Sequence, residues 1–173
     1  MSGAARPFPR RIPFVEHLGF ELWGFGGGEA ELRLDLAEVH LNYWDVAHGG
    51  VLMTMLDVAM AHAARSDTSA DADGQGPGVA TIEMKTSFLR PSEGRLRATG
   101  KLLHRTATLA FCEGSVLDEA GHHDAEVAKN KLAKRSRTKR HWKTKMWKRR
   151  TQLRRERADQ MRLARENSGL VGY

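Results

Sequence analysis

Residues 51–64 read Val-Leu-Met-Thr-Met-Leu-Asp-Val-Ala-Met-Ala-His-Ala-Ala, with Thr54, Asp57 and His62 as the only polar side chains. A helix apolar on nearly every side is a buried helix. This one is too short to span a bilayer, which takes roughly 20 apolar residues. It opens on a His48-Gly49-Gly50 turn. A carboxylate inside such a helix is costly unless it is paired or hydrogen-bonded, and catalysis is the usual reason to retain one. Asp57 in apolar surroundings is also expected to ionise at a higher pH than usual, which suits a general base.

The glycines add a second element. A helix start has free N–H groups backed by the positive end of the helix dipole, and glycine lets another group approach the backbone closely. That suits an oxyanion, including the one developing on a thioester or ester carbonyl. Gly49 and Asp57 lie about 12 Å apart along a helix axis, so one bound carbonyl does not touch both from the same chain. Either the two are unrelated, or a two-fold dimer brings Asp57 of one subunit to Gly49 of the other. His-Gly-Gly alone favours a plain turn and a structural Asp57. Asn42 and Asp57 at their spacings favour a site.

Three ordered blocks carry a family resemblance. The first is Asn42, then His48-Gly49-Gly50, then Asp57. The second runs from Gly78 to Pro91 and the third from His104 to Phe111. Over roughly Pro13 to Ala128 the chain resembles the hotdog-fold acyl-CoA thioesterases, in particular the PaaI-like branch of the phenylacetate pathway. The resemblance implies an α+β fold with a long helix wrapped by a curved antiparallel sheet. It implies dimers that pair into tetramers, and active sites at the subunit interface. By position, Asp57 is the base or nucleophile and Gly49 supplies the N–H that polarises the carbonyl. Asn42 and His48 hold substrate or the attacking water, and Thr81 matches an assisting hydroxyl. Gly50, Tyr43 and Trp44 are candidates for contact with substrate, the two aromatics either lining an acyl pocket or simply packing. Arg90 and Arg105 are candidates for the coenzyme A nucleotide. No cofactor is required.

Charge divides the chain. Residues 1–128 hold 11 Lys and Arg against 18 Asp and Glu, whereas residues 129–173 hold 17 against 3. The division suggests a thioesterase domain over 1–128 and a basic extension over 129–173. An acidic body gives no reason to expect nucleic acid there. The extension lacks Pro and has good helix formers but a weak apolar stripe, since Arg149 and Arg157 break it. Three readings stand: a solvated or disordered tail, a helix contacting nucleic acid or anionic membrane, and a segment foreign to the rest, such as a shifted reading frame gives. The second supports a rival to the enzyme, a non-catalytic dimer that binds polyanions through its tail.

The remaining pattern is of an α+β chain. Met1–Arg11 reads as a mobile arm without a secretory signal, which suggests a cytoplasmic protein. Ile12–Phe20 holds a short helix, with Phe14, Leu18 and Val15 on one side. Gly24–Gly28 reads as a hairpin turn, and Ala30–Leu36 alternates as a half-buried strand. Ser66–Gly78 reads as an exposed loop. Val79–Leu89 reads as one strand with Ile82, Met84 and Phe88 on a common side. Arg95–Leu103 alternates again, and Thr106–Leu117 is a long strand carrying Leu109 and Phe111. Ala125–Ala128 begins a last strand that Lys129-Asn130-Lys131 interrupts. The lone Cys112 excludes an internal disulfide and reads as a buried, inert thiol. The histidines show no metal-ligand spacing, no Gly-x-Ser-x-Gly elbow is present, and His62 reads as a hydrogen-bonded core histidine.

Overall fold

The computed structural model describes residues 4–66 and 78–134. The expected loop over 67–77 and the basic tail from residue 135 lie outside the described residues. A short helix, α1 (Pro13–His17), precedes a hairpin of β1 (Glu21–Gly26) and β2 (Glu29–Asp35). Its two-residue turn places Gly27 and Gly28 at φ 59° and 81°, the positive values such a turn demands at both positions. The long helix α2 (Gly49–Ser66) follows, then β3 (Val79–Met84), β4 (Ser87–Phe88), β5 (Arg95–Arg105), β6 (Leu109–Leu117) and β7 (His123–Lys134).

The strands form one antiparallel sheet ordered β1-β2-β5-β6-β7-β3, with β4 also pairing β7. Helix α2 packs against β1, β2, β3, β5, β6 and β7, which is the hotdog arrangement the resemblance implies. Ala30, Leu32 and Leu34 alternate into the core from β2, as the sequence pattern requires. Val15 is the buried residue of α1, while Phe14 is exposed.

Several expectations are corrected. The N-terminal arm is pinned rather than loose: the Arg6 N–H donates to the Leu22 carbonyl at 2.7 Å, and Phe8 packs on the core. The strand expected over 79–89 is broken after Met84, and an irregularity between Thr81 and Glu83 shifts its register on β7. Such a shift changes which side chains share a face, so Met84 packs inward while Ile82 and Phe88 stay exposed. On β6, which begins at Leu109 and not at Thr106, the buried residues are Ala110, Cys112, Gly114 and Val116, while Leu109 and Phe111 are half-buried. The strand presents its smaller set to α2 because the helix lies so close. β7 does not end at Lys129–Lys131 but continues paired through Lys134, with a slip of register on β6 between Val127 and Asn130. Cys112 is fully buried, and burial pushes its thiol up to about 11, as an inert thiol requires.

The closest approach is at Gly100 and Gly114, which pair across β5 and β6. A Cβ on Gly100 would lie 2.5 Å from the carbonyl of Ala59, and one on Gly114 2.7 Å from the Thr99 oxygen. Neither glycine carries a sequence signal of this role.

His62 is buried edge-on to Phe8 and Phe25, with centroids 5.4 and 6.0 Å away. Its Nδ1 contacts the Val58 carbonyl at 2.8 Å, and Nε2 has no partner among the described residues. Desolvation lowers its pKa below 6.5, the Val58 bond only partly opposing this. The folded ring therefore stays neutral at pH values where the unfolded chain takes up a proton. Stability is complete above the unfolded value and is lost as pH falls from 6.5 toward the folded pKa. His62→Leu is expected to lose less melting temperature than the parent between pH 7 and pH 5, in paired thermal melts. Equal losses would show that the ring does not carry this acid sensitivity.

Candidate functional site

The first turn of α2 is built by His48. Its Nδ1 accepts the Gly50 N–H at 2.9 Å, and its carbonyl accepts the Val51 N–H at 2.8 Å. This makes His48 the helix N-cap. It leaves the Gly49 N–H with no acceptor among the described residues. Of the two glycines singled out by sequence, Gly49 therefore keeps its donor available, and Gly50 does not.

That donor sits in a cleft of about 320 Å³ lined by Asn42, Ala47, Gly49, Leu52, Phe88 and Arg90, among others. The loop leading in is fixed from behind. The His40 ring accepts the Ala37 N–H at 2.9 Å and contacts the Leu18 carbonyl at 3.0 Å, and the His40 carbonyl accepts the His48 N–H at 2.8 Å. The Asn42 carboxamide accepts the Trp44 N–H at 2.8 Å, and Asp45 takes a φ of 58° to complete the turn. Tyr43 and Trp44 stand out from this turn, 91% and 76% exposed and edge-to-face with each other. They flank the cleft and do not line it.

The opposite wall runs from Phe88 to Ser92. The Phe88 ring would lie 3.3 Å from any Cβ on Gly49. The Leu89 and Arg90 N–H groups both reach the Asp124 carbonyl, at 2.9 and 3.4 Å, and the Ala47 N–H donates to the Ser92 carbonyl at 2.9 Å. Ser92 and Asp124 are almost fully buried. Sequence reasoning missed both. Asp124 follows a His122-His123 turn in which nothing marks it as an inward-facing residue.

Asp57 is half-buried, not buried as its apolar helix suggested. It lies on a stripe of α2 with Met53, Thr54, Val58 and Ala61, which the chain's own sheet leaves partly uncovered. Thr81 on β3 donates its hydroxyl to Asp57 Oδ1. The helix runs unbroken from Gly49 to Ser66, so the axial gap of about 12 Å between Gly49 and Asp57 stands.

The sequence candidates thus fall into two groups within one chain. Asn42, Gly49 and Arg90 line the cleft, with His48 and Gly50 paired to each other at the helix start beside it, and Asp57 with Thr81 forms a pair two turns further along. Arg105 joins neither. Its guanidinium donates to the Ala64 carbonyl at the far end of α2, where a cation complements the helix dipole. No group of three or more potential metal ligands occurs among the described residues. No described helix is long and apolar enough to cross a membrane.

The thioesterase superfamily profile matches residues 45–124, which include Gly49, Asp57, Thr81, Phe88 and Arg90 but not Asn42. A protein of Halobacterium salinarum named as a candidate esterase is 34% identical over 116 residues, covering 65% of this chain and 74% of that one. A conserved protein of Pseudomonas aeruginosa superposes with a TM-score of 0.66 at 26% identity, covering 73% of this chain and 97% of that one. The E. coli PaaI protein from the phenylacetic acid degradation operon superposes with a TM-score of 0.65 at 20% identity, covering 72% and 86%. At that identity the likeness to PaaI is one of fold.

Proposed function

This chain belongs to the thioesterase superfamily, and we propose that it hydrolyses acyl-CoA thioesters to the free acid and coenzyme A. Thioester hydrolysis is the general chemistry of the family. The observation that carries the finer reading is the unpartnered Gly49 N–H at the positive end of α2, opening into a cleft walled by Leu52 and Phe88. A donor there is fixed before the reaction begins. It strengthens as the thioester carbonyl becomes an oxyanion.

Asp57 supplies the base or nucleophile, and Thr81 holds its carboxylate from β3. The uncovered stripe of α2 around Asp57, with the exposed Ile82 and Phe88, requires a partner surface. A second copy related by a two-fold axis meets that need and carries its Asp57 to the first copy's Gly49. The carboxylate then takes a proton from water attacking the carbonyl carbon, and the tetrahedral intermediate collapses with loss of the thiolate. Asn42 and His48 lie close enough to the donor to orient the thioester or the water. Arg90 at the rim is the cation for the nucleotide end of coenzyme A, and Arg105, at the far end of α2, is not.

Gly49→Pro tests the donor. Proline removes the N–H yet suits the first helical position, and the Phe88 ring it presses on is half exposed and free to swing. Turnover is expected to fall about 100-fold with the fold retained. The reading as a whole is tested on a panel of aliphatic and aromatic CoA thioesters, followed as released thiol. No release above that of an Asp57→Asn control on any member would refute it.

A further inference from the structure

Asp124 is 1% exposed, and neither of its carboxylate oxygens has a hydrogen-bond donor among the described residues. Among the described residues its ion-pair partner is Arg90, with Nε 3.8 Å from Oδ1. The other acid of this corner, Asp118, is already engaged by His122, whose N–H and Nδ1 lie 2.8 and 2.9 Å from it. The buried Ser92 hydroxyl is the neutral polar group beside the Asp124 carboxylate and carries no charge to balance it. Asp124 is thus the acid left to face Arg90, directly behind the wall that bears it.

An apolar residue in this place would be as stable or more so, because the desolvation of a buried carboxylate commonly exceeds what one ion pair returns. Retention of the charge points to a role. The backbone of Asp124 already anchors the wall through the Leu89 and Arg90 amides, so the side chain is not needed for that. What it adds is an oriented negative charge on the Nε side of Arg90. A guanidinium has five donors in a rigid fork, so engagement of one edge leaves the terminal nitrogens for a second anion.

We propose that Asp124 is the positioning residue for Arg90, fixing the guanidinium at the cleft rim with its terminal nitrogens presented to a phosphate of the thioester's carrier. This rests on the reading of the substrate as a coenzyme A thioester. Burial pushes the Asp124 carboxyl up, the Ser92 hydroxyl beside it draws it down, Asp118 adds to the rise, and Arg90 and His122 oppose it.

The test compares the parent protein, Asp124→Asn, Arg90→Ala, Arg90→Lys and the Asp124→Asn/Arg90→Ala double variant. Coenzyme A affinity is measured by calorimetry. The same acyl group is then assayed as a CoA thioester and as an N-acetylcysteamine thioester, which lacks phosphates. Asp124→Asn and Arg90→Ala are each expected to weaken coenzyme A binding about tenfold, the usual effect of a charge-assisted hydrogen bond, and the double variant no further. For Asp124→Asn, KM on the CoA thioester rises while kcat holds, and the short thioester does not register the change. Arg90→Lys, an exposed substitution that keeps the charge without the fork, is expected to follow Arg90→Ala. Parent-like binding by Asp124→Asn or Arg90→Lys overturns the proposal, as does additive loss in the double variant or equal damage on the short thioester. A parent protein that does not bind coenzyme A overturns it too. A parent that binds coenzyme A with this dependence on Asp124 and Arg90 but releases no thiol sinks the hydrolase reading and leaves the positioning role standing.

Discussion

Asp57→Asn lowers turnover of the best CoA thioester about a thousandfold, within the range a positioned general base supplies, while the protein keeps its fold and oligomeric state. Asparagine has the same shape, and its carboxamide oxygen still accepts the Thr81 hydroxyl that Asp57 Oδ1 now accepts. What disappears is the negative charge and the capacity to take a proton. The neutral side chain is also easier to leave half-buried on a stripe shared with Met53, Val58 and Ala61, so a loss of stability cannot mimic the loss of rate. Steady-state kinetics should show kcat falling with little change in KM, the pattern of an interaction made in the transition state. Turnover within about threefold of the parent would remove Asp57 as base or nucleophile. The partner-subunit arrangement has its own check. Mixed dimers of Asp57→Asn chains with Gly49→Pro chains carry one site in which both groups are intact, so activity should reappear on subunit exchange. No recovery after verified exchange would place both groups in one chain's site or make one of them irrelevant.

Gly100→Ala destabilises the protein by more than the ~1–3 kcal/mol of ordinary overpacking. The new methyl would sit 2.5 Å from the carbonyl carbon and oxygen of Ala59 and 2.7 Å from the Met60 nitrogen. These are backbone atoms in the middle of α2 and cannot swing aside as a side chain can. The helix must lift from β5 or the strand must bow, and either opens the layer where Leu56, Ala59 and Met60 lie fully buried. A rise of α2 also displaces Asp57 from Thr81, so residual folded protein should be less active per folded molecule. Denaturant unfolding reads the first effect and activity against folded fraction the second. A midpoint shift equivalent to less than about 1 kcal/mol would mean the layer is loose enough to absorb a methyl.

Much of the fold is legible in the residues. Leu32 and Leu34 alternate with charged neighbours and are buried as that pattern demands. Gly27 and Gly28 mark the hairpin, and the apolar run after His48-Gly49-Gly50 is the one long helix among the described residues. What local pattern left open was decided by tertiary packing. Leu109 and Phe111 are the larger apolar residues of β6, yet its buried face is Ala110, Cys112 and Val116. The choice was made by a helix far away in sequence that comes close enough to require small side chains. The Thr81–Glu83 irregularity reassigned the faces of β3 in the same way.

The sequence by itself determined the local parts of the candidate site: a helix start with free N–H groups at a Gly49-Gly50 pair, a carboxylate two turns on, and the axial distance that keeps them apart in one chain. Those follow from chain geometry over a few residues, and local pattern encodes that fully. Only the tertiary structure decided which groups from remote segments meet them. It placed Thr81 on Asp57, Phe88 on Gly49, His40 behind the entry loop and Asp124 behind Arg90, and it took Arg105 away to the end of α2. Each of these rests on a contact of a few ångströms between residues far apart along the chain. Such contacts are fixed by how the sheet registers and how closely α2 packs on it, and no local periodicity carries that information.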